Sequence, residues 1–490
     1  MEIRKTTLTT ETLFGETTAQ VQMESAIPLP QGKTLERVLS AEGEAVIGDI
    51  SCRDGAIVVT GTMTVKPTVE SAERLPYAFE AAAEFTHTIR MEGVTPDMNA
   101  RVAAEIPACV LKREDGGLRM QATVQLRAAV FLPAQIECIT GLDDARDAEI
   151  RTASVTLKKR TLLGAHSLRM SEPIDAPRGM TVIKAVATPL VNGLVKGTEG
   201  MLPQGELRLC ILYGAPDGGI RKEQYAIPFS DVIACEPGEN AFATATLTSL
   251  SVTVEEEGTA TVDAALSIGV YGSTSETQRI LTDAYDAACD FSCGVQHANA
   301  LNYEGAWSQT VQLNETVPVP SYMKDAYLPL YASLRTAVTR ASVEDGRGIF
   351  EGVLAVTVVY RDDDGMKQSF SYELPLSFET EARGTLPIVR FRAFDASLSG
   401  GGRTVSLSVS VSVETEWYRA VAFDHVSELL PGTPPDTDCG MLVWFADPDE
   451  TLFSIGKRFG VPTARIKACN PSLSEPIKEG EPVLILRQTV

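Results

Sequence analysis

Gly205-Glu-Leu-Arg-Leu-Cys-Ile-Leu-Tyr213 is followed by Asp217-Gly218 and then by Tyr225-Ala-Ile-Pro228-Phe229. Apolar residues alternate in it, so Leu207, Leu209 and Ile211 fall on one face of a strand, and Asp-Gly supplies the positive φ that a tight connection requires. The segment reads as a β-hairpin. Its layout returns as Gly352-Val-Leu-Ala-Val-Thr-Val-Val-Tyr360, Asp364-Gly365 and Tyr372-Glu-Leu-Pro375-Leu376, with eight residues from Gly to Tyr, five more to the turn Gly and ten more to Pro. A weaker copy runs from Gly61 to Phe85; it keeps Thr62-Met63-Thr64-Val65 but has lost the Tyr and the Asp-Gly. A hairpin cannot bury its apolar face alone, so each copy must belong to a larger β unit.

Outward from the hairpins, a Pro-rich echo precedes each copy by 28 to 32 residues: Glu24-Ser-Ala-Ile27-Pro-Leu-Pro30, Glu172-Pro-Ile174-Asp-Ala-Pro177 and Glu315-Thr-Val317-Pro-Val-Pro320. Closing strands alternate cleanly, with Val405, Leu407, Val409, Val411 and Val413 on one side and Ser406, Ser408, Ser410 and Ser412 on the other. Two landmarks in one order, three times over, predict a mainly β protein of three tandem β-sandwich-like or meander repeats, residues 1–145, 146–288 and 289–430. Helical pattern is scarce. Ser71 to Ala83 is expected to form a helical excursion, and Thr277 to Ala288 a helical join between the second and third copies. A Pro/Gly linker at 431–440 then separates a different unit, 441–490.

The 490 residues carry a formal charge of −22, which speaks against nucleic acid and anionic membrane surfaces as partners. From Gly440 to Val490 acids and bases balance, so the excess sits in the β body. No apolar run is long enough for a bilayer span, and the start lacks a signal-peptide core, so the chain is expected to stay where it is made. Nine cysteines, at 52, 109, 138, 210, 235, 289, 293, 439 and 469, form no paired Cys-x-x-Cys motifs and are expected to be reduced thiols.

In the tail, Met441 to Phe445 reads as a strand, Leu452, Ile455 and Phe459 as one face of a helix stopped by Gly460, Ile466 and Ala468 as part of a second helix, and Pro482 to Leu486 as the closing strand. This small βααβ order, with Asp449-Glu-Thr-Leu-Phe-Ser-Ile455, Asn470-Pro-Ser-Leu473 and Ile477-Lys-Glu-Gly-Glu-Pro-Val-Leu484, resembles a LysM domain. That family binds N-acetylglucosamine glycans in a shallow groove. The resemblance implies a partner- or glycan-binding groove lined by Asp449, Glu450, Thr451 and Leu452 on one side and Pro471, Ser472, Leu473 and Ile477 on the other. Where the family usually has Gly-Asp-Thr this chain has Asp449-Glu450-Thr451, a second carboxylate that would obstruct a sugar and favour a basic protein surface.

Three β repeats followed by one such tail resemble, over essentially the whole chain, the SPOCS-domain spore-coat morphogenetic proteins of endospore formers; the Gly205-to-Phe229 and Gly352-to-Leu376 units carry the likeness. The resemblance implies a scaffold in the mother-cell cytoplasm that docks the coat's basement-layer morphogenetic ATPase at the forespore surface. Peptidoglycan binding through the tail is the alternative. No enzyme, cofactor or metal is expected: His87, His166, His297 and His425 stand apart, Asp424-His425 reads as decoration at a strand end, and Asp362-Asp363-Asp364-Gly365 as a solvated turn rather than a calcium loop. Trp307 and Trp417 are expected in cores or at strand edges, and Trp444 beneath the tail helices.

Overall fold

The structure is a computed structural model, which describes residues 2–143, 148–255, 258–287, 291–431 and 440–486. Cys289, Cys439, the turn residue Glu257, Ala288 and the linker 432–439 lie outside the described residues. Among the described residues, everything before a short C-terminal segment is strand or the turns and loops that join strands. In chain order the strands are β1 (Glu2–Pro28), β2 (Arg37–Arg53), β3 (Ala56–Glu70), β4 (Pro76–Ala78), β5 (Ala81–Arg90), β6 (Asn99–Glu114) and β7 (Gly117–Asp143). There follow β8 (Ala148–Asp175), β9 (Thr181–Lys196), β10 (Met201–Gly214), β11 (Ile220–Ser230), β12 (Glu239–Val254) and β13 (Thr259–Asp286). Last come β14 (Phe291–Pro318), β15 (Leu328–Glu344), β16 (Arg347–Arg361), β17 (Lys367–Glu381), β18 (Leu386–Gly401) and β19 (Thr404–Pro431).

One strand order occurs three times. A first sheet runs β1-β7-β6, β8-β13-β12 or β14-β19-β18, and a second runs β2-β3-β5, β9-β10-β11 or β15-β16-β17, all antiparallel. The two sheets of a unit share one apolar core: Leu207, Leu209 and Ile211 of β10 meet Val262, Ala264, Leu266 and Ile268 of β13. In the third unit Leu354, Val356 and Val358 meet the alternating valines of β19, with Trp417 buried among them and Trp307 packed at the margin. On the other face Ser410 and Ser412 are also buried, whereas Ser408 is half-buried and Ser406 exposed, so that face is covered only toward its C-terminal half.

The landmark glycines have a common cause. Gly61, Gly205 and Gly352 lie directly across from Phe85, Phe229 and Leu376 on the next strand. On their other side the partner strand bulges, with Gly48, Asn192 and Thr339 as the extra residues. A Cβ at Gly61 would meet the Phe85 ring and Val46 O at 2.6 Å, one at Gly205 would collide with Leu190 O and the Phe229 ring, and one at Gly352 with Ala337 O and the Phe391 ring. The spacing is therefore a record of where a bulge and an apolar side chain close on the backbone.

Two helical expectations are corrected. Ser71 to Leu75 is a turn held by Leu75 N donating to Ser71 Oγ (3.2 Å), and Ala81 to Arg90 pairs with β3 as a strand. That turn is where the first unit meets the others: Lys367 Nζ of the third unit donates to Arg74 O (3.1 Å) and pairs with buried Glu70 (2.6 Å), and the Gly218 turn of the second unit abuts Arg74 O. Thr277 to Asp286 is likewise strand, paired with β8. Pairing along a neighbouring strand outweighs local helix propensity in both places.

The first and last strands of each unit are 27 or 28 residues long, roughly 90 Å at about 3.3 Å per residue, and outrun their own core. A bulge marks where each leaves it, at Phe14, Leu163 and Glu304, each followed by a glycine. Beyond that point the three ribbons, β1/β7, β8/β13 and β14/β19, pack together as a stalk around Leu8, Cys138, Val155, Leu157, Ile280 and Ala300. A second equivalent set of bulges turns Leu39, Ile183 and Leu330 into one cluster with Tyr331 and Val359, where the three units meet. Burial pushes the thiols of Cys138 and Cys293, both on the stalk ribbons, up to about 11, which keeps them protonated.

Substituting Gly205 by Val forces the β9/β10 bulge and the Phe229 ring apart and should cost about 1–3 kcal/mol. Gly193, beside the same bulge, has nothing within 4 Å of the place an added methyl group would take, and should accept Ala within about 0.5 kcal/mol. Denaturant titration of both variants checks the pair.

Candidate functional site

The C-terminal segment folds as β20 (Met441–Phe445), α1 (Leu452–Phe459), α2 (Thr463–Cys469) and β21 (Pro482–Leu486), with β20 and β21 antiparallel. Helix α1 begins at Thr451, whose Oγ1 accepts from Ser454 N (3.2 Å) while Ser454 Oγ accepts from Thr451 N (2.8 Å); it ends at Gly460 in the left-handed region, φ 61°. Leu452, Ile455, Phe459, Val461 and Ile466 pack on Val483 and Ile485 of the sheet's inner face. Trp444 lies edge-on to Phe459, its Nε1 donating to Glu450 Oε2 (2.7 Å). Asn470 clasps the closing strand, donating to Leu484 O (2.7 Å) and accepting from Leu484 N (2.8 Å).

The eight residues inferred for a groove divide three ways. Leu452, Leu473 and Ile477 are core residues, and Glu450 is turned inward: it accepts from Trp444 and from Asp447 N (3.0 Å) and pairs with Arg458 (3.2 Å), which also lies over the Trp444 ring. Glu450 therefore adds no carboxylate beside a groove, and the extra carboxylate expected from Asp449-Glu450-Thr451 rests on Asp449 alone. Asp449, Pro471 and Ser472 are exposed. Thr451 caps α1 and accepts from Arg151 of β8 (3.0 Å), so one edge is already occupied by the body. The two sides are tied by Glu475, whose Oε1 accepts from Leu452 N (2.9 Å).

The outer face of the sheet is different. Met441, Val443 and Phe445 are 68%, 54% and 62% exposed and sit directly across from Leu486, Leu484 and Pro482. A solvated strand face normally carries polar residues at these alternate positions, and this one carries none. The sequence held this signal as an absence of alternation, since all five residues of β20 are apolar.

Elsewhere, two side chains depart from expectation. His425 is buried, not surface decoration, and burial holds its imidazole below the ordinary range; the exposed pair is His297 with Asp424 (2.9 Å). Asp362 is buried rather than solvated. Burial opposes its ionisation, yet bonds from Gln368 (3.0 Å) and Met366 N (2.8 Å) hold it below the usual carboxylate range. Among the described residues no cluster of three or more His, Cys, Asp or Glu fits a metal, and no helix is long and apolar enough to cross a membrane.

A family model described as SipL, SPOCS domain matches residues 34–112, from just before β2 into β6. The match falls on the first unit, whose landmarks are the most eroded, rather than on the two hairpins that keep Tyr and Asp-Gly. No curated protein matches the chain, and no solved structure matches it.

Replacing Glu450 by Ala leaves the Trp444 indole and the Asp447 amide without their acceptor, while Arg458 keeps Asp447, and should lower the stability of the C-terminal unit by about 1–3 kcal/mol. The loss should appear as faster hydrogen exchange in β20 and β21, with no change in the three β units.

Proposed function

We propose that the chain is a non-enzymatic scaffold of spore-coat assembly, working in the mother-cell cytoplasm at the forespore surface. In this reading the three β units are SPOCS-type sandwich modules forming a body, and the C-terminal unit is a LysM-type tail that docks the coat's basement-layer morphogenetic ATPase. The match of residues 34–112 to a SipL, SPOCS domain model supports the sporulation role.

The observation that carries protein docking over glycan binding is the bare apolar ladder Met441, Val443 and Phe445. Each such side chain gains about 1.5–3 kcal/mol when buried, and sugars offer little apolar surface to bury it against. Of the eight residues inferred for the groove, Asp449, Pro471 and Ser472 are the open ones, with Glu475 already bonded to the backbone between its lips.

Immobilised ATPase should capture the intact chain and lose at least tenfold in affinity for a variant carrying Met441→Ser, Val443→Thr and Phe445→Ser, while Asp449→Ala with Ser472→Ala retains capture. Purified murein should not co-sediment the chain. Capture that survives the sheet-face variant, or sedimentation that the groove variant abolishes, would transfer the role to the groove and to peptidoglycan.

A further inference from the structure

The tip of the second ribbon carries four side chains on one face, Glu149 and Arg151 on β8 directly opposite Tyr285 and Asp283 on β13. All four contact the C-terminal unit. Glu149 Oε1 accepts from Thr463 N (3.1 Å) and Thr463 Oγ1 (3.0 Å) at the start of α2. Tyr285 donates its hydroxyl to Val461 O (2.9 Å) and sets its ring edge-on to Phe453 at 5.1 Å. Arg151 lies over the Phe453 ring, 4.6 Å from its centre, and donates to Thr451 Oγ1. Asp283 pairs with Lys457 of α1 at 2.6 Å.

The C-terminal unit is shaped for this contact. Gly456 sits inside α1, where glycine costs about 1 kcal/mol relative to alanine, and a Cβ there would collide with the Tyr285 hydroxyl and with Val461 O of the unit's own turn. Burial, with Glu149 next to it, pushes the Tyr285 phenol upward, so it stays a donor. These contacts fall on the Thr451 cap, the two helices and the turn between them. The apolar outer face of β20 and β21 lies on the other side of the unit.

We propose that the tip of the second ribbon is a docking site for the chain's own C-terminal unit, and that it acts as a latch. It holds Thr451 and Phe453 against the body while leaving Met441, Val443 and Phe445 outward, so a ligand that takes Thr451 must first displace Arg151. The short tether 432–439 keeps the unit at an effective concentration on the order of millimolar, enough for a few polar contacts to hold it closed. The inference does not depend on the identity of the partner proposed above.

The test uses the full chain and a charge reversal. A zero-length carbodiimide crosslink should join Lys457 to Asp283 within one chain. In Asp283→Lys that crosslink should vanish and exchange at the Phe453 and Thr463 amides should rise at least tenfold, with the β20 and β21 amides unchanged. Adding Lys457→Asp to the same chain should restore slow exchange. Unchanged exchange at Thr463 in Asp283→Lys would overturn the latch. So would loosening of β20 and β21 in step with it, which would make the contact part of the unit's own fold, or a crosslink formed only between two copies.

Discussion

Continuous antiparallel pairing of the first strand of each unit with its last, over 27 or 28 residues, is the constraint on which the rest depends. Near the turn end, at Ile27 against Leu118, Ile174 against Ala260 and Val317 against Val405, the pair closes its unit's core. Past the bulges at Phe14, Leu163 and Glu304 the same ribbon has no sheet of its own to lie on. Its inward apolar side chains are covered by the other two ribbons, which makes the stalk a joint product of all three units. A single ribbon of this length would expose a flat apolar face and invite association with other chains.

Which unit sits beside which is specified by polar contacts in the junctions. Lys367 with Glu70 and Lys184 with Glu42 pair charges between units at sites where the lysines are almost wholly buried. Removing one partner of such a pair leaves a bare charge in the interior, at about 3–5 kcal/mol, so these contacts penalise any exchange of neighbours. Backbone-directed bonds add to this: Gln125 donates to Val338 O (2.8 Å), Arg127 to Val389 O (2.7 Å), and Glu105 accepts from Val338 N (3.0 Å). The Ser71 to Leu75 turn belongs to the same logic. By departing from the hairpin plan there, the first unit gains the surface that receives Lys367.

Strands are legible where period-two alternation and a turn signal coincide, as from Gly205 to Phe229, and the mainly β character follows from them. The helical reading of Ser71 to Ala83 fails because Ala81, Ala82 and Ala83 favour helix locally while β3 offers a full ladder of partners. The dipeptides Phe14-Gly15, Leu163-Gly164 and Glu304-Gly305 recur at the three stalk bulges, yet share only a glycine and so carry too little pattern to announce them. In the tail, the helices and their Gly460 stop are legible from spacing. The inward turn of Glu450 is not, because it depends on how the loop after β20 folds back on Trp444, and the contact of Gly456 with Tyr285 joins residues far apart in the chain.

If the three ribbons form one stalk, they must open together. Native-state hydrogen exchange at the amides of Leu8, Val155 and Ala300, followed at rising denaturant, is the direct measure. A single opening free energy, equal at all three sites and to that of global unfolding, is the predicted result. One ribbon exchanging well before the others, by a separate opening, would contradict a shared stalk.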